Sequence, residues 1–138
     1  MPAGQQDAHW LVVDLEATCD AHGRLSAAAM EIIEFGGILL SPGNDVLDEF
    51  QCHVRPTGPV TPFCTELTGI TRADVACAPD FPVVAGAIRQ WLDTWRLPDL
   101  VWASWGDYDR RQLALDCARH GQEPPINAPH VNLRKRYC

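Results

Sequence analysis

The order of its strand-like and helix-like segments is the feature that most constrains how this 138-residue chain can fold. Short runs rich in apolar and β-branched residues predict strands. These runs lie at His9–Val13, Glu31–Leu40, Val46–Val54, Leu100–Ser104 and His130–Leu133. A loop is predicted at residues 20–30, and the turn-rich segment Ser41–Asp45 separates the second strand from the third. The first three strands therefore predict an antiparallel meander.

Capping signals predict helices between the third strand and the fifth. The helices are predicted at Pro62–Leu67, Arg72–Ala76, Asp80–Trp95 and Asp109–His120. Thr61 before the first and Gly69 after it are a typical helix start and end. Apolar residues recur with helical spacing along the third, which predicts that they pack in the core: Phe81, Val84, Ala87, Ile88, Trp91, Leu92 and Trp95.

The predicted order of segments is three strands, then helices, then a strand–helix–strand unit. This order is typical of a ribonuclease-H-like α/β fold. The predicted sheet is mixed, with an antiparallel meander of three strands, two parallel strands and flanking helices. In such a sheet the first strand lies centrally. Side chains at its carboxyl end and at the end of the fourth strand then lie close together.

The first predicted strand runs directly into two carboxylates, in VVDLEATCD at Val12–Asp20. Asp14 and Glu16 are two residues apart, so on an extended chain they point to the same side. Neighbouring like charges repel, and a cation compensates them. Ligation by carboxylates alone selects Mg²⁺ or Mn²⁺ over zinc. For an isolated pair of this kind, two solvated acids at a strand end are the more common explanation.

A second acidic segment strengthens the metal-site hypothesis. In WASWGDYDRRQL, at Trp102–Leu113, another apolar strand runs into Asp107 and Asp109. If the first and fourth strands are neighbours, Asp109 is expected to face Asp14, while Asp107 supports the site or is solvated. Three carboxylates around one cleft suit a pair of divalent ions. One ion activates water, and the other stabilises the departing oxygen of a phosphodiester.

The formal net charge of −7 is unevenly distributed. Residues 1–88 contain 12 acidic and 3 basic residues, whereas residues 89–138 contain 6 acidic and 8 basic residues. Charge alone does not indicate a nucleic-acid-binding protein, and an ordinary acidic soluble protein fits equally well. Acids that hold divalent cations would nevertheless permit phosphate binding, because the ions reverse the local field.

The spacing of the cysteines and the length of the apolar runs indicate the cellular location of the protein and whether it binds zinc or a membrane. None of the six cysteines forms a C-x-x-C pair, which argues against a zinc site. We expect reduced, mostly packed thiols. No apolar run approaches the roughly 18 residues of a membrane span, so no membrane partner is expected. The first ten residues do not resemble a secretory signal, so the predicted location is cytoplasmic.

Four segments together resemble a known family. They are DLEATC at Asp14–Cys19, EIIEFGGILL at Glu31–Leu40, FCTELTGIT at Phe63–Thr71 and SWGDYDRRQL at Ser104–Leu113. In this order and spacing they resemble the DEDDh branch of the DnaQ-like 3′–5′ exonucleases, and most closely the Eri-type exoribonucleases. The resemblance extends over residues 9–137. It implies metal-dependent removal of 3′-terminal nucleotides from single-stranded nucleic acid with a free 3′ end. RNA is favoured, and DNA is the alternative.

The resemblance also implies roles for individual residues. Asp14, Glu16 and Asp109 would bind two divalent ions, Mg²⁺ or Mn²⁺, and carry catalysis. The residues implied to contact the 3′-terminal nucleotide are Ala17, Thr18, Thr68, Gly69, Ile70, Trp105 and Tyr108. For Trp105 and Tyr108, packing in the core is an equally good explanation. Cys64 would be structural and would pack behind the loop.

The chain departs from the family at its third motif, in which a His precedes an Asp by five residues. His120 is followed at that spacing by Pro125, and His130 by Lys135. We therefore expect one exonuclease-like domain, residues 1–138, truncated before this motif and without the last helix. A fragment is favoured, and a natural truncation or a site completed by another chain are the alternatives.

The incomplete third motif leads to three further expectations. The chain alone should show little or no turnover. A catalytically inactive binding module for nucleic acid or protein, with the same fold, is the second functional class. The sheet face left bare by a missing helix would favour self-association.

Overall fold

A computed structural model describes residues 7–137, and one five-stranded sheet forms its centre. The strands are β1 (His9–Ala17), β2 (Ile32–Leu40), β3 (Val46–His53), β4 (Leu100–Ser104) and β5 (His130–Asn132). Their order across the sheet is β3-β2-β1-β4-β5. The β1–β2 and β2–β3 pairs are antiparallel, whereas the β1–β4 and β4–β5 pairs are parallel. The predicted mixed sheet, with β1 at its centre, is confirmed.

Within residues 7–137, five helices connect or follow the strands. They are α1 (Pro62–Thr68), α2 (Arg72–Ala76), α3 (Phe81–Trp95), α4 (Tyr108–His120) and α5 (Leu133–Tyr137). The predicted start of α1 is confirmed, because the Thr61 hydroxyl accepts a hydrogen bond of 3.1 Å from the Cys64 N–H. Gly69 ends α1 with a φ of +78°, a conformation that favours glycine. Within residues 7–137 no helix has the length and apolar character needed to cross a membrane.

The predicted end of β1, at Val13, is wrong. The strand continues to Ala17 because β2 keeps pairing with it, with Asp14 opposite Gly36 and Glu16 opposite Glu34. The two acids are therefore strand residues rather than residues that follow a strand. A smaller difference concerns residues 20–30, predicted to be a loop, which include a short 3₁₀ turn at Ala27–Ala29.

Alternate residues of β1 point into the main core, which also contains side chains from α3 and α4. Its largest fully buried members include Leu11, Ile32, Phe35, Leu39, Val84 and Ile88. Burial of each such side chain stabilises the fold by roughly 1.5–3 kcal/mol. Gly37 allows close packing here, because a Cβ atom on it would lie 3.2 Å from Leu11 Cδ1. The pairing of β2 with β3 has an irregularity at Leu39/Leu40.

The opposite face of the sheet is covered only in part. Helix α5 contacts β4, and the Arg136 guanidinium lies 5.5 Å from the centroid of the Trp10 ring. Further along, Ile38 is 40% exposed, and it borders an open cavity of about 300 Å³ that also contacts Val12 and Asp14. The uncovered part of this face therefore includes the first of the two β1 carboxylates.

Candidate active site

The candidate site lies at the carboxyl end of β1. Asp14 is exposed and Glu16 is half-buried, while Leu15 between them is buried on the core side. The prediction that both acids share one face is confirmed. Glu34 lies opposite Glu16 on β2 and belongs to the same face. Burial raises the pKa of Glu16, and the charges of Asp14 and Glu34 raise it further.

The third carboxylate reaches this site from α4. Strand β4 pairs with β1 only as far as Val12↔Ala103, and beyond that point the edge of β1 is open toward α4. Asp109, which is 8% exposed, occupies this position. Its Oδ2 atom accepts a hydrogen bond of 3.3 Å from the Leu15 backbone N–H, across 94 residues of sequence. This bond brings Asp109 to the residue that separates Asp14 from Glu16.

Burial, and after it the neighbouring negative charges, raises the pKa values of two residues on α4. Burial, followed by the charges of Asp14 and Glu16, raises the pKa of Asp109 to about 6, although the Leu15 N–H acts in the opposite direction. Burial and the charge of Asp109 also raise the pKa of Tyr108, to about 12. Among the ion pairs of residues 7–137, none involves Asp14, Glu16 or Asp109.

The residues present fit a divalent ion by charge and donor type, since all three offer hard carboxylate oxygens. They do not form a closed site as they stand. Among residues 7–137, no three His, Cys, Asp or Glu side chains converge closely enough to hold one ion.

Asp107 lies in a different environment from Asp109. It is half-buried and lies 3.5 Å from the Arg110 guanidinium. Partial desolvation acts against ionisation of Asp107, but a hydrogen bond from Asn132 and the charge of Arg110 lower its pKa. Asp107 thus has its own cationic partner. Of Asp107 and Asp109, it is Asp109 that faces β1, as predicted.

Two predicted nucleotide contacts, Trp105 and Tyr108, are on the surface. Trp105 is 61% exposed and Tyr108 is 39% exposed, so the alternative of core packing is wrong for both. Gly69 is also exposed, at the end of α1. These three positions offer surface to a ligand.

The other predicted contacts are directed inward. Ala17, Thr18 and Ile70 are buried, and Thr18 is only 1% exposed. The Thr18 hydroxyl accepts a hydrogen bond of 2.9 Å from the Glu31 N–H. The half-buried Thr68 donates to the Cys64 carbonyl and accepts from the Ile70 N–H. Because the side chains of these residues pack or form hydrogen bonds within the protein, a ligand would contact mainly their backbone.

A buried polar network, which was not predicted from the sequence, lies behind the site. Asp116, 1% exposed, accepts hydrogen bonds from the Ile32 N–H at 3.3 Å, from Gln112 Nε2 at 2.8 Å and from Arg119 at 2.9 Å. Gln112 also receives a weak 3.4 Å bond from the Tyr108 hydroxyl. The network fixes α4, and with it Asp109, against the start of β2. Polar residues four apart on the helix face that carries Leu113 are the signal that could have indicated it.

Two exposed apolar side chains on α1 were also missed. Leu67 is 68% exposed and Phe63 is 39% exposed, and both lie on the helix that leads into Thr68 and Gly69. Both belong to the segment FCTELTGIT, but the residue type alone does not distinguish a surface contact from core packing.

Comparison with known proteins gives the family. The sequence model of the exonuclease family matches residues 11–113. The chain belongs to the exonuclease family. Within that family it falls in the Eri-type DEDDh group, and its fold is ribonuclease-H-like. DEDDh exonucleases generally use divalent metal ions.

Relatives and solved structures agree with this assignment. The chain is 34% identical over 142 residues to ERI1 exoribonuclease 3 of Bos taurus, covering 96% of this chain and 41% of that protein. It is 33% identical over 134 residues to the human 3′-5′ exoribonuclease 1, covering 91% of this chain and 38% of the relative. The nuclease domain of 3′hExo, a DEDDh family member bound to rAMP, superimposes with a TM-score of 0.86 at 30% identity. This match covers 94% of this chain and 68% of that one. The chain thus spans about two fifths of the length of these two curated relatives.

Proposed function

We propose that this chain is the catalytic part of a 3′–5′ exonuclease that removes 3′-terminal nucleotides from single-stranded RNA, with DNA as the alternative substrate. The observation that carries the proposal is the hydrogen bond from the Leu15 N–H to Asp109, which gathers three carboxylates at one end of β1. The relatives named as exoribonucleases, and the similar nuclease domain bound to rAMP, support the choice of RNA.

The proposed cofactor is a pair of divalent ions, Mg²⁺ or Mn²⁺. Asp14, Glu16 and Asp109 would hold them. The pKa values of Glu16 and Asp109 are raised, in part by neighbouring carboxylates, and a bound cation would compensate this negative charge. When bound, the ions supply activation of the attacking water and charge stabilisation at the departing oxygen. The carboxylates themselves must be ionised to bind the ions, so we expect metal affinity to fall below about pH 6.

The proposed position of the terminal nucleotide is between α1 and the β4–α4 connection. Trp105 and Tyr108 present exposed aromatic surface on one side, and Gly69 and Leu67 present an accessible loop and apolar surface on the other. Aromatic rings hold bases by stacking, which tolerates different sequences. Backbone groups of residues 17–18 and 68–70 would complete the contacts.

The test is a cleavage assay with a 5′-labelled single-stranded oligoribonucleotide, Mn²⁺ and the protein in large excess. Neither His120 nor His130, the histidines that follow Asp109, has an Asp at the family spacing, so the expected result is slow laddering from the 3′ end. Asp14→Asn should abolish it, whereas Asp45→Asn, on an exposed acid in the turn between β2 and β3, should not. Laddering that survives Asp14→Asn would refute the proposal.

The second candidate is a binding module without turnover, which is supported by the lack of three converging metal ligands among residues 7–137. Calorimetric titration with Mn²⁺ separates the two proposals. An exonuclease site binds Mn²⁺ and loses that affinity on Asp14→Asn. A binding module shows no Mn²⁺ affinity, no laddering and RNA binding that Asp14→Asn leaves unchanged.

A further inference from the structure

A second surface feature lies at the same end of the sheet as the carboxylates. It is an open groove of about 470 Å³, here called the basic groove, lined by Gly106, Asp107, Arg111, Asn132, Arg134 and Lys135. Gly106 follows the carboxyl end of β4, and Asn132 is the last residue of β5. Because β1, β4 and β5 are parallel, these ends lie along one edge of the sheet, and β5 is two strand spacings, about 10 Å, from β1.

The charge of the basic groove is positive and comes from two different helices. Arg111 lies on α4, whereas Arg134 and Lys135 lie on α5, and all three side chains are exposed. The only acid among the lining residues, Asp107, lies 3.5 Å from Arg110 and accepts a hydrogen bond from Asn132, and the charge of Lys135 acts on it as well. Among the ion pairs of residues 7–137, none includes Arg111, Arg134 or Lys135.

The basic groove stands out against the rest of the molecule. The chain carries a net charge of −7, and residues 1–88 alone contain 12 acidic against 3 basic residues. The three cations belong to residues 89–138, the part of the chain in which basic residues outnumber acidic ones by 8 to 6. Trp105, immediately before Gly106 and 61% exposed, adds an aromatic surface beside it. A cationic groove with an adjacent exposed aromatic ring is the combination that binds single-stranded nucleic acid.

We propose that the basic groove binds backbone phosphates of single-stranded nucleic acid on the 5′ side of the terminal nucleotide, with Arg111, Arg134 and Lys135 as the phosphate ligands. This assignment rests on the proposed function, because that function places the 3′ end at the carboxyl end of β1. The strand then runs past Trp105 toward β5. This path leads away from β2 and β3, which lie on the other side of β1.

The test measures binding of a fluorescent ten-nucleotide oligoribonucleotide in EDTA, where no cleavage occurs, over a series of salt concentrations. For single strands, each phosphate contact contributes about 0.7 to the slope of log affinity against log salt. Lys135→Gln, Arg134→Gln and Arg111→Gln should each lower the slope by about this amount and weaken binding about 5-fold at 0.1 M salt. The matched control is Arg96→Gln, an exposed arginine beyond the end of α3, which should change neither quantity.

Three results have distinct meanings. If the groove variants behave like Arg96→Gln while Asp14→Asn still abolishes laddering, the inference is overturned and the proposed function stands. If laddering fails but the groove variants lose affinity and slope, the basic groove is a nucleic-acid-binding surface and the exonuclease proposal fails. If the groove variants weaken binding of an acidic polyglutamate peptide and not of RNA, the inference is overturned in favour of a protein partner. Circular dichroism confirms that each variant is folded.

Discussion

Replacing Asp109 by asparagine should make the metal-free protein more stable, although it removes a proposed metal ligand. Asp109 is 8% exposed and its pKa is raised from 3.8 to about 6, first by burial and then by the charges of Asp14 and Glu16. The folded protein therefore disfavours the ionised form at neutral pH. Asparagine is neutral, and its side-chain oxygen can still accept the hydrogen bond from the Leu15 N–H.

The size of the effect follows from the pKa difference. A raised carboxyl pKa gives stability that is fully present below the unfolded-state value and is lost as the pH rises through the folded-state value. At about 1.4 kcal/mol per unit, the ionised Asp109 costs the metal-free fold about 1–3 kcal/mol above pH 7. The gain from Asp109→Asn should be about half as large at pH 5 and should vanish below about pH 3.8.

Thermal and urea unfolding in EDTA at pH 7.5, 5 and 3.8 measure this gain as the difference between variant and wild type at each pH. At pH 7.5 the midpoint should rise by about 3–9 °C for a domain of this size. Added Mn²⁺ should stabilise the wild type by mass action and leave Asp109→Asn unchanged.

Asp107→Asn is the matched control for the unfolding measurements. The pKa of Asp107 is lowered by Asn132 and Arg110 against partial desolvation, so its replacement should give no gain at pH 7.5. If Asp109→Asn is less stable than wild type at pH 7.5, or equally stabilised at every pH, the electrostatic reasoning is wrong.

Three other predictions concern packing and association. Asp116→Ala should lower the free energy of unfolding by about 1–3 kcal/mol in urea titrations, because the Ile32 N–H and the Gln112 amide lose their buried acceptor; an unchanged or increased stability would contradict this. Gly37→Ala should destabilise by about 1–3 kcal/mol through overpacking. Gly86→Ala, where a Cβ meets no atom within 4 Å, should stabilise by about 0.5–1 kcal/mol, and equal effects at the two glycines would refute the packing argument. We expect self-association through the sheet face that contains Ile38, so Ile38→Glu should shift the protein toward monomer in analytical ultracentrifugation, and an unchanged distribution would exclude that face.

The sequence by itself determined the local structure. Helix starts at Thr61, Thr71 and Asp80 were predictable because a cap and the helix it begins are neighbours in the chain. The same holds for the shared face of Asp14 and Glu16, which depends only on the alternation of an extended strand. The mixed sheet also followed from the order of the segments.

The tertiary structure decided what the local pattern leaves open. Strand β1 extends to Ala17 because β2 pairs with it. The residues around Val13 do not by themselves predict this pairing. The inward direction of Thr18 depends on the Glu31 N–H, and the exposure of Trp105 depends on what packs beside it. These properties arise from contacts between segments that are far apart in the sequence. The energies of such contacts cannot be predicted from a local sequence pattern.

The site itself shows the same division. The sequence supplied three acids, and the fold brought Asp109 to Leu15 across 94 residues, buried it and raised its pKa. The basic groove likewise exists only where α4 and α5 meet, because Arg111 and Lys135 are far apart in the sequence. Residue types are set by the sequence, whereas burial and charge proximity, which determine how those residues behave chemically, are set by the folded chain.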